Sequence, residues 1–306
     1  MSRLMALARF SRPHTVGATL LQVSGLFLLA GAAGAPTGAG LLRWLAALAA
    51  ALAANIYIVG LNQLADVEID RINKPRLPLA SGELAGRQAR RIVAGAGLLS
   101  LAVAASQSSY LLLTVALAML IGTLYSLPPL HLKARPAWAA LSIAFVRGVL
   151  VNLGLFAHFH GLFRPAAPVP WLPLAALAAF FFGFGLVIAL YKDIPDLRGD
   201  RAFGVRTFTV RLGPGAVFRA GRWLLTAFYG LPIAAALLRL PAADGVVLLL
   251  SHLAIVGLFW ARSRSVNPAN PQAITSFYLF LWSLFYLEYV MLGLSTLFRP
   301  AGAALA

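Results

Sequence analysis

The sequence lacks cysteine and is poor in charged residues, and both shortages restrict the class of protein that it encodes. None of its 306 residues is Cys, which excludes disulfide bonds and thiolate metal sites. Only 11% of the residues are charged, whereas 60% are hydrophobic and the mean hydropathy is +0.84. This composition is too apolar for an ordinary water-soluble domain and is typical of a protein that crosses a membrane several times.

Acidic residues are the scarcest charged type. The chain has nine Asp and Glu against 25 Lys and Arg, which gives a formal net charge of +16. In a soluble protein this excess would indicate nucleic acid binding, but here the basic residues fall in short loops between apolar runs. We therefore expect the lipid bilayer and an anionic substrate as partners, with no nucleic acid. Nothing in the sequence predicts an obligatory protein partner.

Nine apolar runs of about bilayer-spanning length predict an all-α polytopic membrane protein with nine transmembrane helices. Their approximate bounds are 15–34, 41–62, 89–106, 110–127, 137–157, 171–191, 216–238, 243–260 and 274–297. No hydrophilic linker divides them, so we expect one membrane-embedded domain over residues 1–306. Most Lys and Arg fall in the N-terminus and in alternate loops, which predicts that these and the N-terminus face the cytoplasm.

The first acidic cluster follows the second apolar run, in the sequence NQLADVEIDRINKPRLPLASG at residues 62–82. Asn62, Asp66 and Asp70 are spaced by four, so on a helix their side chains lie on one face, about 6 Å apart. Three oxygen-bearing side chains in a column suit a hard divalent cation such as Mg²⁺. The alternative is a solvated helix end with scattered charges, which the scarcity of acids elsewhere disfavours.

A second acidic cluster follows the sixth apolar run. Asp196 and Asp200 are again four apart, Asp193 lies a turn earlier, and Pro195 is expected to bend or interrupt the helix. Clustered carboxylates repel one another unless a cation lies between them. Mg²⁺ takes one or two carboxylates and completes its shell with water and phosphate oxygens. Two such clusters across an apolar cavity therefore predict an amphiphilic substrate with a diphosphate head, on the same cytoplasmic side as the basic loops.

The two motifs, Asn62–Asp66–Asp70 and Asp196–Asp200, resemble the NxxxDxxxD and DxxxD signatures of the UbiA superfamily of intramembrane prenyltransferases. The flanks YSLPPLHLK, VRGVLVNLGLFAH and YKDIPDLRGDRAFGVRTFTVRLG are similar to those of its homogentisate phytyl- and prenyltransferase subgroup. The resemblance implies a helical bundle around a central, lipid-accessible cavity. It also implies transfer of a phytyl or geranylgeranyl group from its diphosphate to homogentisate, with loss of carbon dioxide and release of diphosphate, as in tocopherol and prenylquinone synthesis.

The same resemblance assigns residues to the site. One Mg²⁺ would be held by Asn62, Asp66 and Asp70, and the other by Asp196 and Asp200 with help from Asp193. The four motif aspartates, Asp66, Asp70, Asp196 and Asp200, would be the catalytic residues. The resemblance also implies substrate contacts from Lys74 and Arg76 after the first motif, and from Tyr125 and Lys133 in the connection after the fourth run. Lys192, just before the second motif, is a further candidate. By position alone, Phe145 and Tyr191 are candidates to shield an allylic cation.

Arg147 and Asn152 lie inside the fifth apolar run and each has two interpretations. A charge within a transmembrane helix is costly and usually functional, so Arg147 is a candidate to bind the carboxylate of homogentisate. Alternatively, Arg147 lies near a helix end and extends to the membrane interface. Asn152 either faces the cavity as a substrate contact or forms a hydrogen bond between helices.

Two other functions stay open from the sequence alone. A related prenyltransferase would use another acceptor, such as chlorophyllide, 4-hydroxybenzoate or haem. A membrane transporter would also carry buried acids, but carriers place ionisable residues near the bilayer midplane on broken helices. Here the acids gather at the ends of apolar runs beside Arg-rich loops, which favours the enzyme.

Overall fold

The computed structural model describes residues 3–31, 38–238 and 245–297, and the regular structure within these ranges is entirely helical. Its α-helices are α1 (Arg3–Phe10), α2 (Pro13–Gly31), α3 (Gly38–Ala65), α4 (Val67–Asn73), α5 (Gly86–Ala105), α6 (Ser109–Ser126), α7 (Pro136–Ala144), α8 (Val151–Phe163), α9 (Trp171–Lys192), α10 (Leu197–Ala202), α11 (Phe208–Leu212), α12 (Pro214–Leu237), α13 (Gly245–Arg264) and α14 (Pro271–Leu297). A short 3₁₀ helix, Leu132–Ala134, precedes α7, and a π-helical turn, Phe145–Leu150, joins α7 to α8 without a break.

Within the described ranges, eight helices are long and apolar enough to cross a membrane. They are α2, α3, α6, the continuous helix Pro136–Phe163, α9, α12, α13 and α14. The prediction of an all-α integral membrane protein is confirmed, but the predicted number of nine spans differs by one. The predicted third span forms α5, whose first two turns carry Arg87, Arg90 and Arg91 and so reduce its hydropathy. The predicted runs 15–34 and 243–260 extend partly outside the described residues.

α5 nevertheless belongs to the bundle, because it packs along α3 and against α6. Gly97 on α5 allows this close approach, since a Cβ atom there would lie 2.8 Å from the ring of Tyr57 on α3. Ser100 Oγ donates a hydrogen bond of 2.7 Å to the carbonyl oxygen of Ala50 across the same interface. Small side chains and interhelical hydrogen bonds are the usual means of helix association in a bilayer.

The other half of the bundle is rich in aromatic residues. Phe181 on α9 stacks on Tyr289 of α14, with ring centroids 4.1 Å apart, within a buried cluster that α12 and α13 complete. Glu288, an acid inside a membrane-spanning helix, finds its partners here. Tyr229 on α12 donates a 2.8 Å hydrogen bond to Glu288 Oε1, and His252 Nε2 on α13 lies 3.2 Å from Glu288 Oε2. A buried carboxylate that needs partners thus ties three helices together.

Candidate active site

The first acidic motif lies where α3 gives way to α4. Asp66 separates the two helices, yet the helical hydrogen-bond pattern continues through it, from Asp66 N to Asn62 O at 3.0 Å and from Asp70 N to Asp66 O at 2.8 Å. Asn62 Nδ2 also donates to Asp66 Oδ2 at 3.0 Å. The three residues therefore follow one another on successive turns, and Asn62 orients the carboxylate of Asp66.

The second acidic motif lies where α9 gives way to α10. α9 ends at Lys192, Pro195 falls in the break as predicted, and Asp196 immediately precedes the first residue of α10. Asp200 N donates to Asp196 O at 3.1 Å, so the two aspartates are one turn apart, and both side chains are buried. The two motifs thus share a plan, in which a long helix breaks and a short helix carries the last acid.

The two motifs meet through Asn73 and Lys74, at the end of α4. Lys74 Nζ forms an ion pair with Asp196 and lies 3.8 Å from Asp70 Oδ1. Asn73 Oδ1 accepts a 2.7 Å hydrogen bond from Gly199 N, and Asn73 Nδ2 lies 3.3 Å from Asp200 Oδ1. Both acidic clusters therefore lie at the same end of the bundle and face each other.

Asn73 is a site residue that the sequence analysis missed. It stands beside Lys74 within the stretch that carries the first motif, but it falls outside the four-residue spacing of the acids. Its partner Gly199 is buried against it, and a Cβ atom at Gly199 would overlap the amide of Asn73. Two features of the sequence could have indicated this contact: a polar residue, Asn73, directly before Lys74, and a glycine directly before Asp200.

Two further lysines form ion pairs with Asp66 and Asp193. Lys133, in the 3₁₀ helix after α6, places Nζ 2.5 Å from Asp66 Oδ1, and Lys192 places Nζ 2.8 Å from Asp193 Oδ1. With Lys74, three of the predicted basic residues reach the acidic clusters. They come from three separate parts of the chain, and each provides an ammonium group next to a group of carboxylates.

Two of the carboxylates, Asp70 and Asp200, are destabilised as anions in spite of these lysines. Burial, and then the neighbouring carboxylates of Asp196 and Asp193, raise the pKa of Asp200 to about 7. Burial also raises the pKa of Asp70, against the opposing charge of Lys74. Loss of hydration disfavours the charged form, and so does a nearby like charge. A divalent cation bound between these two carboxylates would stabilise their charged forms.

The donor set fits Mg²⁺ only if other ligands contribute. Within residues 3–31, 38–238 and 245–297, no three His, Asp or Glu side chains converge closely enough to hold a metal ion alone. Mg²⁺ does not require such a cage, since it binds one or two carboxylates and fills its octahedron with water and phosphate oxygens. The hard oxygen donors on both motifs fit an ion that is shared with a diphosphate.

A cavity of about 230 Å³ opens beside the carboxylates. Asn62, Tyr125 and Lys192 line it next to the acidic clusters. Along α3 the lining continues from Asn62 to Ala51, about 16 Å at 1.5 Å per residue. The lining far from the motifs is largely apolar and includes Ala51, Ala54, Leu111, Val115, Ala118 and Leu155. Such walls accept a hydrocarbon chain whose polar head remains at the carboxylates.

The structure separates the two interpretations of Arg147 and Asn152. Arg147 lies in the π-helical turn at the middle of a long helix, lines the cavity, and stacks its guanidinium 4.8 Å from the ring centroid of Trp282. It therefore does not extend to the membrane interface. Asn152 is fully buried and forms hydrogen bonds between helices, including one from Tyr289 Oη at 2.8 Å. The described structure therefore matches the second interpretation of Asn152, a hydrogen bond between helices, and Asn152 is not among the residues that line the cavity.

Three further predicted residues lie away from the cavity. Tyr191 is fully buried against α12, where its hydroxyl donates a 2.6 Å hydrogen bond to Phe218 O. Its side chain points away from the cavity because it lies about 100° around the helix from that of Lys192, which lines the cavity. Phe145 is 43% exposed on the outside of the bundle. Arg76 is exposed in the loop after α4, where its carbonyl oxygen accepts a hydrogen bond from Arg9.

Known proteins are similar to this chain in sequence. The model of the UbiA prenyltransferase family matches residues 24–284. The homogentisate phytyltransferase of Synechocystis sp. is 44% identical over 96% of this chain and 96% of that protein. The homogentisate geranylgeranyltransferase of Triticum aestivum is 39% identical over 95% of this chain and 72% of that protein.

The fold agrees with the sequence match. A solved structure of a UbiA homolog from Archaeoglobus fulgidus bound to GPP and Mg²⁺ superposes with a TM-score of 0.66, over 94% of this chain and 99% of that one, at 21% identity. The match to the family spans most of the chain, and both acidic motifs lie within it. The chain belongs to the UbiA prenyltransferase family.

Proposed function

We propose that the protein transfers a phytyl or geranylgeranyl group from its diphosphate to homogentisate. The observation that carries this proposal is the meeting of the two acidic motifs, through Lys74 and Asn73, beside an apolar cavity. The names of the relatives at 44% and 39% identity support homogentisate as the acceptor. The C–O bond of the prenyl diphosphate breaks with its electron pair on diphosphate, and a bond forms to the aromatic ring. The ring proton that is displaced balances the proton gained when the acetate side chain loses carbon dioxide.

The acidic clusters are proposed to hold the diphosphate through Mg²⁺. Asn62, Asp66 and Asp70 would hold one ion, and Asp196 and Asp200 would hold the other with help from Asp193. When bound, the metal supplies positive charge that stabilises the departing diphosphate. Lys74, Lys133 and Lys192 already lie against these carboxylates and are within reach of phosphate oxygens placed between the motifs.

The cavity is proposed to hold the hydrocarbon chain and the acceptor. Its apolar walls exclude water, which would otherwise capture an allylic cation. The ring of Tyr125 lines the cavity next to Lys192 and offers an aromatic face close to the reacting carbon. Homogentisate carries a carboxylate, and Arg147 on the cavity wall is the residue proposed to bind it.

We also propose that the site opens to the cytoplasm. The acidic clusters lie at the same end of the bundle as the loop containing Lys133, among the basic segments that the positive-inside rule assigns to the cytoplasm. The N-terminus would lie on that side too. Residues 1–306 are proposed to form one domain, since the two largest buried clusters share Leu177 and Leu292 at their boundary.

Mutation of one carboxylate in each motif tests the function. Membranes containing wild type, Asp66→Asn or Asp196→Asn are supplied with homogentisate and geranylgeranyl or phytyl diphosphate, and prenylated product is measured with Mg²⁺ or with EDTA. We expect product only from wild type with Mg²⁺. Glu68→Gln is the matched control, because Glu68 is an exposed acid on α4 that pairs with Arg71. Full activity in both Asp variants would contradict the assignment of the two motifs. Prenylated product formed from chlorophyllide or 4-hydroxybenzoate, but not from homogentisate, would identify a different acceptor.

A further inference from the structure

The cavity wall formed by α2, the π-helical turn and α14 carries a positive charge that has no carboxylate partner. Arg147 lines this wall, about 16 Å along its helix from Pro136. No Asp or Glu of the described ranges forms an ion pair with it. A guanidinium inside a membrane-spanning helix is costly, and such charges usually have a partner or a function. An anionic ligand in the cavity would supply the partner that the described acids do not.

The backbone that carries Arg147 is fixed by a buried polar network. A π-helical turn shifts the regular hydrogen-bond register, and such turns are frequent at functional sites. The carbonyl oxygen of Arg147 accepts hydrogen bonds from Gln22 Nε2 at 3.0 Å and from Asn152 Nδ2 at 3.1 Å. Asn152 Nδ2 also donates to Gly148 O at 2.8 Å. Two amide side chains thus satisfy the carbonyl groups of the turn.

A third helix completes this network. Tyr289 on α14 donates a 2.8 Å hydrogen bond from its hydroxyl to Asn152 Oδ1, which also accepts from Gln22 at 3.2 Å. The opposite side of the turn packs directly against the backbone of α9, because a Cβ atom at Gly148 would overlap the backbone of Phe182. The turn is therefore fixed by α2, α8, α9 and α14, which directs the side chain of Arg147 towards the cavity.

Aromatic rings surround the same charge. The ring of Trp282 lies under the Arg147 guanidinium, and the ring of His14 lies 5.2 Å from Trp282 and 6.2 Å from Tyr278. All four residues line the cavity. Trp282 Nε1 is buried and has no hydrogen-bond acceptor within the part of the chain that the structure describes. Since buried polar groups are nearly always paired, this wall lacks an acceptor atom as well as an anion.

We infer that this wall is the acceptor subsite and that it binds an aromatic ring bearing a carboxylate. Arg147 pairs with the carboxylate, Trp282 and His14 contact the ring, and Gln22, Asn152 and Tyr289 are positioning residues that act through the π-helical turn. The inference rests on the proposed function, which supplies homogentisate as such a molecule. Asn62 and Lys192 line the same cavity next to the acidic clusters, so the bound ring shares one chamber with the prenyl diphosphate.

Tyr289→Phe tests the positioning role, because it removes one hydroxyl and keeps the stacking ring. We expect the KM for homogentisate to rise about three- to tenfold, the effect of one lost hydrogen bond, with the KM for the prenyl diphosphate unchanged. Tyr229→Phe is the matched control, since its equally buried hydroxyl donates a bond of the same 2.8 Å to Glu288. Equal rises in both KM values for Tyr289→Phe, or no rise in either, would overturn the positioning role.

Arg147→Gln and Arg147→Lys test the charge. Binding of homogentisate and of its neutral methyl ester is measured directly on the full-length protein in detergent, without turnover. Wild type is expected to prefer the acid, Arg147→Gln to lose that preference, and Arg147→Lys to keep part of it. An unchanged preference in Arg147→Gln would overturn the subsite. If wild type binds homogentisate through Arg147 but does not prenylate it, the proposed function fails while the subsite stands.

Discussion

Lys74 forms an ion pair with Asp196, 122 residues further along the chain, and its ammonium also lies 3.8 Å from Asp70. One side chain thus contacts the last acid of the first motif and the first acid of the DxxxD pair. Without this cation, two buried carboxylates from different helices would repel each other. The ion pair with Asp196 and the proximity to Asp70 therefore hold the two motifs together.

Lys74→Met is expected to weaken use of the prenyl diphosphate. The variant loses a charge-assisted contact worth about 1.5–3 kcal/mol, so kcat/KM for the diphosphate should fall roughly 10- to 100-fold. Steady-state kinetics in detergent or membranes measures this ratio. Arg71→Gln is the control, because Arg71 is an exposed cation on the same helix that pairs with Glu68. A kcat/KM equal to that of wild type would show that Lys74 does not serve the substrate.

Asn73→Leu is expected to raise the Mg²⁺ concentration needed for half-maximal activity. The substitution removes the bonds to Gly199 N and Asp200, which releases the second motif from the first. A buried backbone N–H left without a partner costs about 1–3 kcal/mol, so thermal stability should also fall. A Mg²⁺ titration of activity checks the first effect, and a titration that overlays that of wild type would contradict it.

The pH dependence of stability should depend on Asp200. Its folded-state pKa of about 7 lies above the ordinary 3.8, so folding favours the protonated form. In EDTA, stability from this group is present below pH about 4 and declines as the pH rises through 7. The thermal midpoint of wild type should therefore fall more than that of Asp200→Asn between pH 5 and pH 8, and Mg²⁺ should reduce the difference. Parallel curves in EDTA would argue against a destabilised carboxylate.

Ala54→Phe is expected to shorten the prenyl chain that the enzyme accepts. Ala54 lines the apolar part of the cavity, about 12 Å along α3 from Asn62. Competition between geranyl and geranylgeranyl diphosphate measures the effect as a product ratio, which should shift towards the shorter chain. Ala49→Phe is the matched control, because Ala49 is exposed on the same helix. The same shift of the product ratio in both variants would contradict the prediction, because it would show that the effect does not depend on the cavity.

Much of the fold followed from local sequence periodicity. The predicted runs 110–127 and 171–191 match α6, Ser109–Ser126, and α9, Trp171–Lys192, within a residue or two. The four-residue spacing of the acids also placed them on successive helical turns, since helix geometry alone determines that arrangement. The helix bounds and the spacing of the acids depend on residues that are close in the chain, so they can be predicted from the sequence.

The contacts between distant segments could not be predicted in this way. Tyr191 lies in the last turn of α9, close to the second motif in sequence, but its side chain packs on Phe218, whose location depends on the folding of α12. Asn152 was ambiguous because its partners, the carbonyl groups of a π-helical turn and a tyrosine on α14, arise only in the folded bundle. The bridge from Asn73 to Gly199 was missed for the same reason.

Counting bound divalent ions tests the central claim most directly. Mn²⁺ prefers the same oxygen donors as Mg²⁺ and can be counted by electron paramagnetic resonance. With an unreactive prenyl diphosphate analogue, wild type is expected to bind two ions per chain, and Asp66→Asn and Asp196→Asn are each expected to bind fewer. Two ions per chain in both variants, or none in wild type with the analogue, would contradict the claim that the two motifs jointly bind one diphosphate.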